Sequence, residues 1–337
     1  GQRVYRQIHE AGITSPVTIA TNKGQGESLL MQLGPEINLV LEPERRDTFP
    51  AIALACTYLA LEKHVPLDEV VVVLPVDVYA DTTYFSTLLE MERVVKQKEA
   101  EIALMGINPD HPSEKYGYIL PGLKKRDNVF SVQGFSEKPN AERASELLSE
   151  GAFWNGGVFA FSLGYLLNNK EILPPCNSYQ ERYDSYGSLK KTSFDYEVVE
   201  RCDSIAMVPY SGAWKDLGSW NVLTTVLENN ISGDGLIAEA MGDTHVINDL
   251  DIPILALGTQ NLIISASYDG ILVADLDHCG TLKQHAQELS KTPRYEEFLW
   301  GTSQVIDKPT LSNKEVCSIK RLTVSLDNHT TKMVNND

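Results

Sequence analysis

Short runs rich in β-branched residues alternate with helix-length segments through the first 150 residues of the chain. Strands are predicted at 17–21, 37–41, 70–76, 102–107 and 129–135, and helices at 24–34, 50–63, 81–99 and 140–150. Because strands that alternate with helices form βαβ units, this order predicts an α/β fold with a mixed, mostly parallel central sheet. The run Val70–Leu74 is apolar without alternation, so we expect a central parallel strand covered on both faces.

The pattern changes after residue 241. Short strands separated by turn residues are predicted at 243–247, 252–257, 261–266 and 270–275. We interpret this part as a small all-β region, either β-helix-like or a sandwich. Residues 280–300 predict a helix, and Ser318–Val324 predicts one more strand. The expected domain boundaries are therefore 1–240, 241–290 and 291–337.

Charge and cysteine content narrow the class of protein. The net charge is −17 and no block of Lys and Arg is present, which disfavours nucleic acids and anionic membranes as partners. Five scattered cysteines without a CxxC pair indicate reduced thiols. The sequence contains no run of about 18 apolar residues, so it predicts no membrane-spanning helix. We therefore expect a cytoplasmic protein without a disulfide framework or a structural zinc.

Two aspartates occupy positions that suit a metal ion. Asp77 follows the apolar run, and ligands of doubly wound sheets bind where strands end at the carboxyl edge. A helix cap or strand-end cap is the alternative for Asp77. Asp216 lies between Trp214 and Trp220, so two apolar anchors would hold its carboxylate for a metal or a sugar hydroxyl. The alternative for this segment is a surface turn pinned to the core.

Glu42 directly follows the predicted strand 37–41. A carboxylate accepts hydrogen bonds from two parallel N–H donors, and guanine offers such a pair in N1–H and N2–H₂. Asp47 or Thr48 can cap the next helix, and Pro50 fits its first turn, which gives these residues a purely structural interpretation. That interpretation leaves Glu42 unexplained, so we predict that Glu42 recognises a base.

Three further segments carry groups that suit a sugar phosphate. Gly117 lies between two tyrosines and lets the backbone approach a ligand, although a hairpin bulge explains it equally well. Glu137 and Lys138 end a strand; since neighbours on a strand point to opposite faces, we do not expect the two to be simply a salt bridge with each other. Glu137 can hold sugar hydroxyls and Lys138 can meet a phosphate, while Asn155 beside Gly156 offers an amide to a sugar.

Taken in order, these segments resemble one family. EPERRDTFPAI, LPVDVY, EKYGYI, FSEKP, WNGGVF, SFDYEVVE and WKDLGSW match the order and spacing of mannose-1-phosphate guanylyltransferases, also called GDP-mannose pyrophosphorylases, over roughly residues 1–275. The resemblance implies a GT-A-like, Rossmann-like nucleotidyltransferase domain. It also implies the substrates GTP and mannose 1-phosphate, the products GDP-mannose and pyrophosphate, and Mg²⁺ as cofactor. Family members are often dimers, so a homodimer is expected.

The resemblance assigns roles residue by residue. It implies that Asp77 and Asp216 bind Mg²⁺ and that Lys138 faces the sugar phosphate. The other implied contacts are to the sugar, the base and the ribose: Gly117, Glu137, Asn155 and Gly156 for the sugar, and Glu42 and Thr48 for the base and ribose. The resemblance also implies, less specifically, that Phe194-Asp195-Tyr196 and Glu200 help to shape the pocket.

The sequence also departs from the family. The strand and Gly-rich loop that open the family are missing, and the chain opens on a predicted helix at 2–11. Val76 and Val78 flank Asp77 in place of Ser and His, and Glu44-Arg45 replaces a small residue and a single basic one. Two hypotheses therefore stay open besides the guanylyltransferase: a transferase for another nucleotide or sugar, and a non-catalytic regulator that binds a nucleotide sugar.

A weaker resemblance covers the C-terminal part. Phe298–Gly301, Val305–Asp307 and Ser318–Val324 are similar to the start of the cupin-type isomerase half of bifunctional relatives. The His-rich metal motif of that half does not follow before Asp337. We therefore expect no isomerase activity from these residues.

Overall fold

The computed structural model describes residues 1–286, 289, 293–309 and 317–324. Among these residues, no helix combines the length and the apolar character needed to cross a bilayer. The α-helices are α1 (Gln2–Glu10), α2 (Lys23–Leu33), α3 (Thr48–Leu61), α4 (Thr82–Lys96), α5 (Ala141–Ser149), α6 (Leu163–Leu167), α7 (Tyr179–Asp184), α8 (Phe194–Glu197), α9 (Trp220–Thr224) and α10 (Leu282–Ala286). Short 3₁₀ helices lie at Tyr186–Ser188, Val199–Arg201 and Leu276–Thr281.

The strands of the first two thirds of the chain are β1 (Thr18–Asn22), β2 (Asn38–Glu42), β3 (Val70–Val73), β4 (Val78–Ala80), β5 (Ile102–Ile107), β6 (Tyr118–Arg126), β7 (Val129–Ser136), β8 (Phe153–Ser162), β9 (Ile205–Tyr210) and β10 (Trp214–Asp216). The later strands are β11 (Ile231–Ser232), β12 (Gly235–Ala238), β13 (Thr244–Asn248), β14 (Ile254–Leu257), β15 (Leu262–Ser267), β16 (Gly270–Asp275), β17 (Tyr295–Phe298), β18 (Gly301–Asp307) and β19 (Ile319–Val324). The predicted strands and helices of residues 17–150 are confirmed to within a few residues.

The chain divides into two compact units. The first comprises Gly1–Leu29 and Leu33–Trp214, and the second comprises Leu30–Gln32 and Lys215–Asp337. The predicted domain boundaries at 240 and 290 stay predictions.

A six-stranded sheet in the order β3-β8-β5-β9-β7-β6 is the centre of the first unit. Its most buried strand is β5, in which alternate residues enter different cores because strand side chains alternate in direction. Ala103 and Met105 pack against one core with α1, α4 and α5, whereas Ile102 and Leu104 pack against the other with α3, α6 and α8. The first unit is therefore an α/β/α arrangement, and the predicted α/β class is confirmed.

The prediction of a mostly parallel sheet is wrong for these six strands. Within the described residues, β5 pairs with β9 in parallel, whereas the other pairings of this sheet are antiparallel. The Val70–Val73 strand, β3, is an edge strand that pairs antiparallel with β8, not a central parallel one. Its valines do pack against both cores, so the apolar run correctly predicted two covered faces but not the partner strand.

Strand β8 was not predicted, although it pairs with β3, β5 and β6. The pair Gly156-Gly157 concealed the strand signal in the sequence, because glycine inside a strand weakens the strand pattern. A Cβ on Gly156 would lie 3.1 Å from the Ile107 side chain, which is tighter than an ordinary van der Waals contact. The strand thereby packs closely against β5 and delivers Asn155 to the end of the sheet.

In the second unit, parallel strands stack in two ladders, β11-β13-β15 and β12-β14. The chain visits the two ladders in turn, which is the path of a short β-helix, one of the two arrangements predicted for this region. Strand β16 closes the first ladder with an antiparallel pairing.

The prediction of a helix at 280–300 is wrong for residues 293–300, which the structure describes. Tyr295–Phe298 forms β17, which pairs antiparallel with β18, and β18 pairs with β19. Pro293 lacks the amide that a continuing helix needs, and Gly301 adopts a φ of 144° that ends the turn between β17 and β18. Strand β19 confirms the strand predicted at Ser318–Val324.

We predict that Leu104→Ala lowers the free energy of unfolding by about 2–5 kcal/mol, because Leu104 is fully buried between the sheet and its helices. Leu123→Ala is the matched control, since Leu123 is 84% exposed on β6, and it should cost less than about 0.5 kcal/mol. Urea denaturation followed by tryptophan fluorescence measures both. Equal losses for the two variants would contradict the assigned core.

Candidate functional site

Glu42, the last residue of β2, is held by a buried tyrosine. The hydroxyl of Tyr186 donates a hydrogen bond of 2.6 Å to Glu42 Oε2. Tyr186 is fully buried, and burial, followed by the hydrogen bond to Glu42 and the charge of Glu42, raises the pKa of its hydroxyl. Sequence reasoning missed Tyr186, because a tyrosine in a polar turn gives no signal beyond the neighbouring Gly187.

The loop after Glu42 runs along the turn that carries Tyr186. Arg46 donates from Nη2 to the carbonyl oxygen of Leu189 at 2.9 Å, and its Nη1 lies 3.1 Å from Glu44 Oε1. A Cβ on Gly187 would lie 3.1 Å from the same Glu44 oxygen. Glu44 thus forms an ion pair with Arg46 within the loop.

Thr48 connects the start of α3 to the start of α8. Its Oγ1 accepts a hydrogen bond of 2.9 Å from the amide of Phe194. Asp47 caps α3 by accepting from the amide of Thr48, with a φ of 72°. The capping role expected of this segment is therefore present, and the role of Thr48 towards a ribose stays a prediction.

Gly117 and Asn155 meet where β6 begins and β8 runs past it. The amide of Asn155 donates to the carbonyl oxygen of Gly117 at 2.7 Å. The neighbouring aromatic rings, Tyr116 and Trp154, pack with centroids 4.8 Å apart and hold the two segments together. A Cβ on Gly117 would overlap Glu137 Oε2, so this position needs glycine for close approach.

Glu137 and Lys138 form an ion pair, with Nζ 3.1 Å from Oε1, so the expectation that they are not simply paired is wrong. The strand ends at Ser136 and Lys138 adopts a left-handed φ of 43°, so strand alternation no longer applies. The Glu137 side chain is only 7% exposed, whereas that of Lys138 is 60% exposed. Burial lowers the pKa of Lys138, but the hydrogen bond and charge of Glu137 outweigh it and raise the pKa overall.

Asp195, which sequence reasoning ranked low, completes this cluster. The side-chain amide of Asn155 donates to Asp195 Oδ1 at 2.6 Å. Burial, followed by the nearby charge of Glu137, raises the pKa of Asp195 to about 6. The same two causes raise the pKa of Glu200. Glu137, Lys138, Asn155 and Asp195 therefore share one cluster beside Gly117.

Asp77 lies in the exposed bend between β3 and β4. It does not cap the following helix: Asp81 caps α4 by accepting from the amide of Thr83. The hydrogen bond from the Thr83 hydroxyl lowers the pKa of Asp81, helped by the amides of Thr83 and Ala213. The helix-cap alternative for Asp77 is thereby removed.

Asp216 belongs to the second unit, where its Oδ1 accepts from the amide of Gly218 at 2.8 Å. The two flanking tryptophans belong to different units. Trp214 packs against Tyr116 in the first unit, and Trp220 packs against a small core around Ile263 in the second. The local geometry of Asp216 is that of a turn, and its role towards a metal stays a prediction.

A family model described as nucleotidyl transferase matches residues 2–232, which is more than half of the chain. The chain belongs to the nucleotidyl transferase family. The segments that form the cluster around Gly117 and the Glu42 loop all lie within the matched part.

Named relatives narrow the similarity. Mannose-1-phosphate guanylyltransferase RfbM of Salmonella typhimurium is 29% identical over 299 residues, covering 80% of this nucleotidyl transferase chain and 62% of that protein. Mannose-1-phosphate guanylyltransferase of Escherichia coli K12 is 29% identical over 321 residues, covering 85% of this chain and 65% of that protein. The chain thus spans less than two thirds of the length of these curated relatives.

The fold agrees with the sequence comparison. A crystal structure from Thermus thermophilus, described as a mannose-1-phosphate geranyltransferase, superposes with a TM-score of 0.70 at 25% identity. It covers 85% of this chain, and the superposition covers 88% of that chain. The predicted nucleotidyltransferase fold and the predicted resemblance to mannose-1-phosphate guanylyltransferases are confirmed.

The described residues contain no group of three His, Cys, Asp or Glu side chains that could hold a metal by themselves. Mg²⁺ is commonly held by one or two carboxylates together with substrate phosphates and water. The exposed carboxylate of Asp77 therefore fits Mg²⁺ in its donor chemistry, as one ligand of a site that a substrate completes.

We predict that the stability difference between the wild type and Asp195→Asn depends on pH. Because the pKa of Asp195 is raised from 3.8 to about 6, the folded state binds the extra proton between these pH values. The wild type should therefore lose stability relative to the variant as pH rises from about 4 to above 6, by about 3 kcal/mol in total. Chemical denaturation across this range measures it, and a constant difference would contradict the raised pKa.

Proposed function

We propose that this nucleotidyl transferase transfers a guanylyl group from GTP to mannose 1-phosphate, giving GDP-mannose and pyrophosphate. The observation that carries the proposal is the cluster beside Gly117, where Glu137, Asn155 and Asp195 meet the positive charge of Lys138. The names of the relatives support the choice of substrates.

The cluster suits a sugar phosphate in its chemistry. The carboxylates of Glu137 and Asp195 and the oxygen of Asn155 can accept hydrogen bonds from sugar hydroxyls. Lys138 can donate to the phosphate, and its raised pKa keeps it charged at neutral pH. Gly117 adds no side chain, which leaves room for the carboxylate of Glu137 in the cluster.

Glu42 supports a guanine nucleotide. Its carboxylate, oriented by Tyr186, can accept from the N1–H and N2–H₂ of guanine. Adenine, uracil and thymine lack this pair of donors. Glu42 and the sugar-phosphate cluster both lie in the first unit.

The reaction is an in-line displacement at the α-phosphorus of GTP. An oxygen of the sugar phosphate forms the new P–O bond, the bond from the α-phosphorus to the bridging oxygen breaks, and pyrophosphate leaves. The attacking phosphate is already ionised at neutral pH, so the chain needs neither a nucleophile nor a strong general base. Its residues act by positioning the substrates and neutralising their charge.

Charge neutralisation is demanding because the protein has a net charge of −17. When bound, Mg²⁺ would neutralise phosphate oxygens and so reduce the repulsion between the two anionic substrates. We propose that Asp77 supplies one of its ligands. The same role for Asp216 is proposed from the family resemblance alone.

We also propose that the enzyme works in the cytoplasm and forms a homodimer. The lack of a membrane-crossing helix among the described residues is compatible with the first proposal. The second follows only from the family resemblance. Size-exclusion chromatography with light scattering tests it, and a monomeric mass at micromolar concentration would overturn it.

The proposed reaction is tested by incubating the chain with Mg²⁺, each nucleoside triphosphate and a panel of sugar 1-phosphates. Pyrophosphate release only with GTP and mannose 1-phosphate is the expected result. Pyrophosphate release with another pair of substrates would support a nucleotidyl transferase but overturn the assignment of GTP and mannose 1-phosphate. Tight binding of GDP-mannose without turnover in any combination would favour the non-catalytic regulator.

We predict that Lys138→Gln raises KM for mannose 1-phosphate by about 10- to 100-fold, because a charged hydrogen bond to the phosphate is lost. Lys124→Gln is the control: Lys124 is exposed on β6 and pairs with Asp127 at 2.8 Å. Steady-state kinetics should show an unchanged KM for the control. A Lys138→Gln enzyme with wild-type KM would remove Lys138 from phosphate binding.

We predict that Asp77→Asn lowers kcat by at least about 100-fold, the scale for losing one key electrostatic group. We expect a loss of the same order for Asp216→Asn. Asp68→Asn serves as the control, since Asp68 is exposed in the turn before β3. An Asp77→Asn variant within a few-fold of the wild type would exclude Asp77 from the mechanism.

A further inference from the structure

We propose that Tyr186 is a positioning residue for nucleotide selection, whose hydroxyl holds Glu42 in the orientation that accepts hydrogen bonds from guanine. The inference rests on the proposed function, because it concerns the base of the nucleotide substrate. Tyr186 acts through Glu42 and needs no contact with the base itself.

The hydrogen bond between the two side chains is short. The Tyr186 hydroxyl lies 2.6 Å from Glu42 Oε2. Burial and the charge of Glu42 both raise the pKa of Tyr186, so the phenol keeps its proton and remains the donor at neutral pH. Each carboxylate oxygen has two lone pairs, so Oε2 can accept from Tyr186 and still accept from a base.

Tyr186 and Glu42 differ in solvent accessibility, as expected if Glu42 contacts the base and Tyr186 only holds Glu42. Tyr186 is fully buried, with its ring in the core that also contains Phe49 and Phe194. Glu42 is half-buried at the end of its strand, and the next three residues, Pro43–Arg45, are exposed. A ligand can therefore reach the Glu42 side of the pair, while Tyr186 stays fixed in the core.

Further contacts fix the distance between the two segments. Arg46 donates to the carbonyl oxygen of Leu189 at 2.9 Å, and Glu44 approaches Gly187. These contacts brace the loop against the turn without touching the Glu42 carboxylate. Glu42 has several rotatable bonds, and the Tyr186 hydroxyl is the described group that hydrogen-bonds its carboxylate. Fixing that carboxylate beforehand reduces the entropy lost when a base binds.

Equilibrium binding to the full chain tests the inference without requiring turnover. Dissociation constants for GDP, IDP and ADP are measured by isothermal titration calorimetry; inosine lacks the 2-amino group of guanine, and adenine lacks N1–H as well. Tyr186→Phe removes only the hydroxyl and keeps the ring in the core. We expect it to reduce the preference for GDP over ADP by about 10-fold, the scale of one hydrogen bond to a charged group.

Two further variants separate positioning from stability. Tyr183→Phe changes a tyrosine one turn earlier whose ring packs against the same core, and it should leave the GDP preference unchanged. Glu42→Gln should reduce the preference, and adding Tyr186→Phe to it should reduce the preference no further. A merely structural role of Tyr186 would lower the unfolding midpoint but leave the ratio of dissociation constants unchanged.

A wild-type GDP preference that Tyr186→Phe fully retains would overturn the inference and leave the proposed function standing. A further loss of GDP preference in the Glu42→Gln, Tyr186→Phe double variant would show that Tyr186 does not act through Glu42. A wild type that binds GDP and ADP equally would overturn base recognition by Glu42, and with it both this inference and the choice of GTP.

Discussion

The hydrogen bond from Asn155 to Asp195 is the interaction on which the arrangement of the candidate site depends. Asp195 lies on α8, and Thr48 holds the start of that helix by accepting from the amide of Phe194. Asn155 lies on β8, and its backbone amide donates to the carbonyl oxygen of Gly117. The Asn155 side chain thus connects α8 with the strands that carry the sugar-phosphate cluster. Because Thr48, at the start of α3, bonds the same helix, a shift of α8 would disturb both contacts.

The electrostatics of the cluster follow from its burial. A carboxyl group removed from water, with a second carboxylate nearby, is costly to ionise, which is why the pKa of Asp195 rises to about 6 while Lys138 stays charged. The pairing of Glu137 with Lys138 offsets part of this cost. A ligand that brings hydroxyl donors and a phosphate would satisfy both signs of charge at once, and that complementarity is the physical reason why a sugar phosphate suits the cluster.

Local patterns predicted nine strands and helices between residues 17 and 150 to within a few residues, because alternation and helix-length segments depend on neighbouring residues. They did not predict β6, β8 or β9 of the central sheet. They did not predict which strands pair, so the apolar run of β3 indicated a central strand although it lies at the edge. The motif order brought out Glu42, Glu137 and Asn155 because each stands next to a recognisable turn. Tyr186 gave no such signal: its partner is 144 residues away, and only the folded chain brings the two together.

We expect α8 to couple the Thr48 contact to the Asn155–Asp195 hydrogen bond. A double-mutant cycle with Thr48→Val and Asn155→Ala, measured on the free energy of unfolding, tests it most directly. The two side chains contact different residues of α8, so independent sites would give additive losses within about 0.3 kcal/mol. Coupling through α8 should instead give a coupling energy above about 0.5 kcal/mol. Additive losses would contradict it and would mean that the base side and the sugar side are held independently.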